Sequence, residues 1–132
     1  MGQALARAND RVVATDTHIV MVPAGPSLVP TPLPHPFSGI ISGGMISSVR
    51  AGGRALAVAG STADNTPPHL PTPPGTAFQK PPANRATIQV GSATVRAGGK
   101  PVARNADTAL TCNDPVDAPV GQVVAVGMVR AG

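Results

Sequence analysis

The chain has 132 residues, a length typical of one domain, so we expect a single domain over residues 1–132. Leu, Ile, Val and Phe together number only 29, and Trp and Tyr are absent, which predicts a small hydrophobic core. The single cysteine, Cys112, excludes an internal disulfide. A metal ion or a partner subunit is therefore expected to add stability.

The net charge is +4, from ten Lys and Arg residues against six Asp residues and no Glu. A basic chain can bind nucleic acid, but the basic residues here are dispersed, and Phe37 and Phe78 are the only aromatic side chains for base stacking. We therefore expect no nucleic-acid partner. The sequence has no run of 18 apolar residues and no N-terminal signal peptide, so we expect synthesis in the cytoplasm without a membrane span.

The first predicted element is a short strand within residues 4–16, centred on Val12 and Val13. No apolar period of 3.6 residues appears there, so a helix is not expected. Proline-rich stretches at 23–36 and 67–82 hold 13 of the 16 prolines. Because proline lacks a backbone donor and favours polyproline II geometry, both stretches are predicted as loops. Taken alone, such a stretch is typical of a flexible or ligand-displaying linker.

Three further segments are predicted as strands, at residues 39–49, 87–95 and 120–129. They are short, rich in β-branched residues and punctuated by glycine. Together with the absence of helical patterns, they predict an all-β fold.

A short phrase ends each of these three segments. It reads Val-Arg-Ala-Gly-Gly at 49–53 and at 95–99, and Val-Arg-Ala-Gly at 129–132. Residues 4–7 resemble the residues that follow the first two copies, at 55–58 and 101–104. The N-terminal segment therefore supplies the residues that would follow the third copy. The sequence therefore predicts three quasi-equivalent units on a closed ring, each with a strand, a Gly-Gly turn and a second strand.

Strand alternation within the phrase separates its valines from its arginines. One face takes Val49, Val95 and Val129, and the other takes Arg50, Arg96 and Arg130. The arginines either meet an acidic or carbonyl-rich partner surface or are simply solvated.

Candidate metal ligands follow the second strand of each unit. These are His18, His69 and Cys112, and the first proline-rich stretch adds His35, which together account for every histidine and cysteine in the chain. Three imidazoles and one thiolate form a closed tetrahedral set that suits Zn²⁺ in a structural site. A Cys-His nucleophile and base, oriented by Asp64 or Asp107, is the enzymatic alternative.

The sequence resembles the PAAR-repeat proteins, which form the spike tip of contractile injection systems such as type VI secretion systems and phage-tail-like particles. The name motif appears as Pro101-Val102-Ala103-Arg104 followed by Asp107, and more loosely as Ala4-Leu5-Ala6-Arg7 followed by Asp10. The third copy, at 55–58, lacks the arginine. His18 followed by the proline-rich run at 29–37 is similar to the first loop of PAAR-like proteins from such particles.

The resemblance implies a small cone with pseudo-threefold symmetry whose base caps a trimeric VgrG-like spike, one copy per trimer. It implies a zinc-stapled apex with His18, His35, His69 and Cys112 as ligands, iron being the alternative metal. It further implies a non-enzymatic tip, monomeric in isolation, that aids membrane puncture and effector delivery. Members of the family often carry toxin extensions, but this sequence ends at Gly132, so we expect a tip without a fused effector domain. Such a tip is assembled into the particle and delivered outside the cell or into the target cell.

Two other function classes stay open from the sequence. One is a zinc-stabilised β-module that binds another trimeric or carbohydrate partner. The other is a small Cys-His hydrolase.

Overall fold

A computed structural model describes residues 2–132 of the chain, and within that range it contains strands and no helix. The all-β expectation is therefore confirmed, and no helix that could span a membrane is found among these residues. The strands are β1 (Gln3–Ala4), β2 (Arg11–Ala24), β3 (Ser27–Gly43), β4 (Ile46–Ala51), β5 (Arg54–Leu56), β6 (Thr62–Asn65), β7 (Ala77–Phe78), β8 (Arg85–Ile88), β9 (Arg96–Ala97), β10 (Lys100–Pro101), β11 (Thr108–Thr111), β12 (Ala118–Val124) and β13 (Arg130–Ala131).

Six strands form an antiparallel sheet that closes on itself. Their order is β12-β11-β8-β6-β3-β2, and β2 pairs back to β12. Because side chains alternate along each strand, one set fills the narrow interior of this ring, where small residues fit. The interior holds Val12, Phe37, Ile41, Ala63, Ala86, Ile88, Ala109 and Val123.

Three small hairpins form a second layer with its own apolar cluster. They pair β4 with β5, β9 with β10, and β13 with β1. The third hairpin joins the two ends of the chain in the same register as the others: Ala51 opposite Arg54, Ala97 opposite Lys100, and Ala131 opposite Gln3. The segments near the two ends of the chain therefore pair with each other.

The glycine pairs turn the hairpins as predicted. Gly52 and Gly53 have φ of 58° and 78°, and Gly98 and Gly99 have 57° and 78°. This left-handed backbone is accessible to glycine without steric strain.

The three units meet at a closed set of backbone hydrogen bonds between the two layers. The N–H of Ala6 donates to the carbonyl of Ala103, Ala103 donates to Ala57, and Ala57 donates to Ala6, at 2.9, 2.9 and 3.0 Å. All three alanines are fully buried. A larger side chain at any of these positions would push the three chain segments apart, which explains why the repeat keeps alanine there.

A tight turn follows each central alanine and opens the strands β2, β6 and β11. In each turn a side-chain oxygen accepts the backbone N–H of the residue three positions earlier. The pairs are Asp10 with Arg7 (2.8 Å), Ser61 with Val58 (3.0 Å) and Asp107 with Arg104 (2.7 Å). The three strands therefore start from equivalent points and run toward the same end of the closed sheet.

None of the three segments predicted as a strand before the repeated phrase is one continuous strand. Residues 39–49 contain the end of β3 and the start of β4, interrupted at Gly44, whose φ is 71°. Likewise, 87–95 contains only the end of β8, and 120–129 contains most of β12. The chain has to leave the closed sheet to enter a hairpin, so one continuous strand cannot serve both layers.

The first proline-rich stretch is a strand, not a loop. Residues 23–36 lie in β2 and β3, which pair without interruption from Arg11 with Ile40 to Ala24 with Ser27. Prolines 30, 32, 34 and 36 occupy every second position of β3. The second stretch, 67–82, is largely irregular as predicted, apart from the two residues of β7.

The position of these prolines explains why the strand tolerates them. Pro32 and Pro34 stand opposite Ile19 and Thr17. The N–H groups of Ile19 and Thr17 point away from β3, toward Asp114 and Asn113. In an antiparallel pair both opposed residues share this outward orientation, so each proline lacks a donor only on the outer edge of β3.

Candidate metal site

Side chains from all three units converge near the middle of β2 and just after the ends of β6 and β11. His18 lies on β2, His69 in the loop after β6, and Cys112 directly after β11. These three predicted ligands are buried and come together with a fourth side chain, that of Asp16. The ligand atoms of the four residues all lie within 4.8 Å of one another.

The ligand atoms lie close enough together for a metal site. Nε2 of His69 lies 3.0 Å from Oδ2 of Asp16, and Sγ of Cys112 lies 3.7 Å from Nε2 of His18. Ligand atoms bound tetrahedrally to zinc are separated by about 3.3 to 3.8 Å. This buried Asp-His-His-Cys group can therefore hold a metal ion after a small contraction.

Asp16 was missed in reading the sequence, although a signal was present. Asp16 and His18 are two residues apart on one strand, so they point to the same side of the sheet. Asp16 is fully buried, and Thr111 Oγ1 donates to its Oδ1 at 2.5 Å. A buried carboxylate needs such partners or a cation to be stable.

His35 lies beside this group but does not belong to it. Its Nδ1 donates to the carbonyl of Leu33 at 2.9 Å, so its Nε2 carries the lone pair and accepts the N–H of Thr72 at 3.1 Å. The ring centroid of His35 lies 5.4 Å from that of His18 and 5.5 Å from that of His69. A metal and the Thr72 amide would thus compete for the same nitrogen.

Burial sets the protonation of the site. Desolvation, with a smaller effect from His69, lowers the pKa of His18, and desolvation also lowers the pKa of His35. These neutral imidazoles are the form that binds metals. Burial and the nearby Asp16 carboxylate raise the pKa of Cys112 to about 11, so without a metal the sulfur is a thiol.

A second carboxylate lies behind His18. Oδ2 of Asp114 accepts the backbone N–H of Ile19 at 2.9 Å and lies 3.4 Å from Nδ1 of His18. The two atoms form an ion-pair contact and not a hydrogen bond, so Nδ1 is a buried nitrogen with no hydrogen-bond partner among residues 2–132. Burial opposes ionisation of Asp114, but the Ile19 amide and His18 lower its pKa.

The aspartates considered as orienting groups for a Cys-His enzyme lie elsewhere. Asp64 is exposed and pairs with Arg85 at 2.7 Å, and Asp107 pairs with Arg104 at 2.9 Å. Cys112 itself is only 3% exposed. A cleft of about 380 Å³ beside the site is lined by His35, His69 and several prolines, and it does not include Cys112.

No protein-family model, no curated protein and no solved structure matches this chain.

Proposed function

We propose that this protein is a structural tip that caps the trimeric VgrG-like spike of a contractile injection system and helps it puncture membranes and deliver effectors. The observation that carries the proposal is the closed hydrogen-bond set of Ala6, Ala57 and Ala103, which relates three equivalent units around one point. A single chain with three equivalent units can match a threefold partner with one copy.

The hairpin layer is the surface that faces the spike in this proposal. Each hairpin presents a half-exposed valine and an exposed arginine in equivalent positions. The guanidinium groups of Arg50, Arg96 and Arg130 each donate to a glycine carbonyl of their own turn, namely Gly53, Gly99 and Gly2, at 3.0, 3.1 and 3.2 Å. Held against their turns, the arginines offer the same charge pattern to each of three partner chains.

The metal-binding end is the apex in this proposal. We assign His18, His35, His69 and Cys112 as the ligands of a structural zinc, with iron as the alternative metal. The centroids of the three imidazoles are 5.0 to 5.5 Å apart, and three rings around one zinc are separated by about 5.3 Å. Asp16 then lies next to the ligands and balances the metal charge together with the Cys112 thiolate.

A structural metal suits this end because it ties together segments from all three units. Apparent zinc binding energies of about 10 to 16 kcal/mol in small peptides exceed the stability of many domains. The metal therefore decides whether the apex stays ordered under load.

The hydrolase alternative has less support. Cys112 is buried, and the pKa of its thiol is raised, whereas a nucleophilic cysteine needs access and a lowered pKa.

The direct test is mass measurement of the complex between the whole chain and a spike trimer from the same gene cluster. One chain per trimer is the expected result. Three chains per trimer, or no complex, would refute the proposal and favour a zinc-stabilised module with another trimeric or carbohydrate partner.

A further inference from the structure

The hairpin of β2 and β3 continues past the metal-binding group. Six residue pairs lie beyond the pair of His18 and Leu33, ending at Ala24 with Ser27, which adds roughly 20 Å of two-stranded ribbon. Strand β7 supports only Val20 and Met21. The tip, residues 22–29, is therefore flanked by no other strand of the described chain.

This ribbon carries no charge. Residues 17–49 contain no Asp, Glu, Lys or Arg, although the whole protein has a net charge of +4. The tip exposes apolar side chains instead, with Leu28 54% and Val29 45% exposed. Its turn is also small and apolar, from Pro23 to Pro26.

Both outer edges of the ribbon are short of hydrogen-bond donors. On β3 the outward amide positions 30, 32, 34 and 36 are prolines, and on the opposite edge the outward position 23 of β2 is also a proline, so among the paired residues of the tip only Leu28 has an outward N–H. A strand edge without N–H groups cannot pair with an added strand, which excludes a β-strand partner along positions 30 to 36 of β3. The same edge loses fewer hydrogen bonds to water when it enters an apolar medium, where each unsatisfied N–H costs several kcal/mol.

We propose that the tip of this hairpin, residues 22–29, inserts into the interfacial region of a lipid bilayer. The inference deepens the proposed tip function, because it names the segment that enters the membrane. The absence of charge means that insertion depends on apolar burial and needs no anionic lipid. The uncharged, apolar residues of the tip fit the acyl and glycerol region of a bilayer rather than a charged headgroup surface.

A tryptophan reporter tests this, since the natural chain has no Trp or Tyr. The full chain carrying Leu28→Trp is mixed with phosphatidylcholine vesicles, with and without phosphatidylglycerol, at low and high salt. The expected result is a blue shift of emission, and quenching by brominated lipid, in all of these conditions. The matched control is Met128→Trp, because Met128 is 96% exposed and leads into the hairpin layer; its emission should not change.

A second variant tests the mechanism. In the Leu28→Trp background, Val29→Asp places a charge at the tip and should weaken partitioning by about tenfold or more. Three results would overturn the proposal: no shift with phosphatidylcholine, an equal shift in the Met128→Trp control, or a shift that needs anionic lipid and disappears in high salt. Vesicle binding requires no spike protein, so failure here leaves the one-per-trimer test unaffected, and the reverse also holds.

Discussion

The backbone N–H of Thr72 donates a hydrogen bond to Nε2 of His35 at 3.1 Å. This nitrogen is the one that His35 would offer to a metal, because its Nδ1 is committed to Leu33. Metal binding by His35 therefore has to displace Thr72, whereas His18, His69 and Cys112 already face one another.

Purified protein is expected to carry about one zinc per chain, measured by elemental analysis. Cys112→Ser should weaken binding by about 100-fold or more and lower the melting temperature, because three ligands then have to order the same loops. A metal-free preparation with unchanged melting temperature would contradict the site.

The fourth ligand is identified by comparing His35→Gln with Asp16→Asn. If His35 is a ligand, His35→Gln should lower zinc content as strongly as Cys112→Ser does. Asp16→Asn should then retain zinc with affinity reduced by about 10- to 100-fold, as is typical of groups next to the ligands. The reverse order would assign the fourth position to Asp16.

The turn caps predict equivalent losses of stability in different units. Asp107→Ala removes the acceptor for the Arg104 backbone N–H and for two guanidinium contacts at 3.1 and 2.9 Å. We expect a loss of about 1 to 3 kcal/mol in the free energy of unfolding, and a similar loss for Ser61→Ala. The control, Asp117→Ala, changes an exposed aspartate and should stay within about 0.5 kcal/mol.

The hairpin glycines predict a conformational effect without a packing effect. Gly53 has φ of 78°, and a Cβ added there would meet no atom within 4 Å. Gly53→Ala is therefore expected to lower the free energy of unfolding by about 1 to 2 kcal/mol through backbone strain alone. Gly53→Asn should lower it less, because asparagine tolerates the left-handed conformation. Equal losses for the two variants in chemical denaturation would show that strain is not the cause.

The exposed pair of Asp64 and Arg85 predicts a pH effect on stability. The hydrogen bond from Arg85 lowers the pKa of Asp64 below its ordinary value. The stabilisation of the folded state by this ion pair is therefore fully present above the ordinary pKa of aspartate and is lost as the pH falls through the folded-state pKa of Asp64. Asp64→Asn should lower the melting temperature slightly at pH about 6, and the difference from the natural chain should vanish in strong acid.

The arginines of the hairpin layer test docking separately from the metal. Changing Arg50, Arg96 and Arg130 together to glutamate should weaken the complex with a spike trimer and leave zinc content unchanged. His35→Gln should do the opposite, because His35 lies in the middle of β3, away from the end of that strand that leads into the hairpin layer. If the triple variant binds the spike trimer as well as the natural chain does, the three arginines are solvated groups that only stabilise their own turns.

Much of the fold was predictable because the repeated phrase encodes positive-φ turns that only a few residues permit. The register of the end-to-end hairpin followed from matching residues 4–7 to the other copies. The strands within 23–36 were not predicted, because the high proline content was taken to indicate a loop. The spacing of the prolines at every second residue, which fits one edge of a strand, was not considered. Asp16 was missed because carboxylates are usually exposed, and only the partners gathered around it by the fold show that it is buried.

The end-to-end hairpin also bears on how the domain is made. Arg130 reaches the carbonyl of Gly2 across 128 positions of sequence, whereas Arg50 and Arg96 reach glycines three positions away. Two hairpins can thus form locally as the chain emerges during synthesis, but the third has to wait for residues 130 and 131. Its partners are farther apart in sequence than those of any other strand pair among residues 2–132, so we expect this hairpin to close last and to lock the hairpin layer.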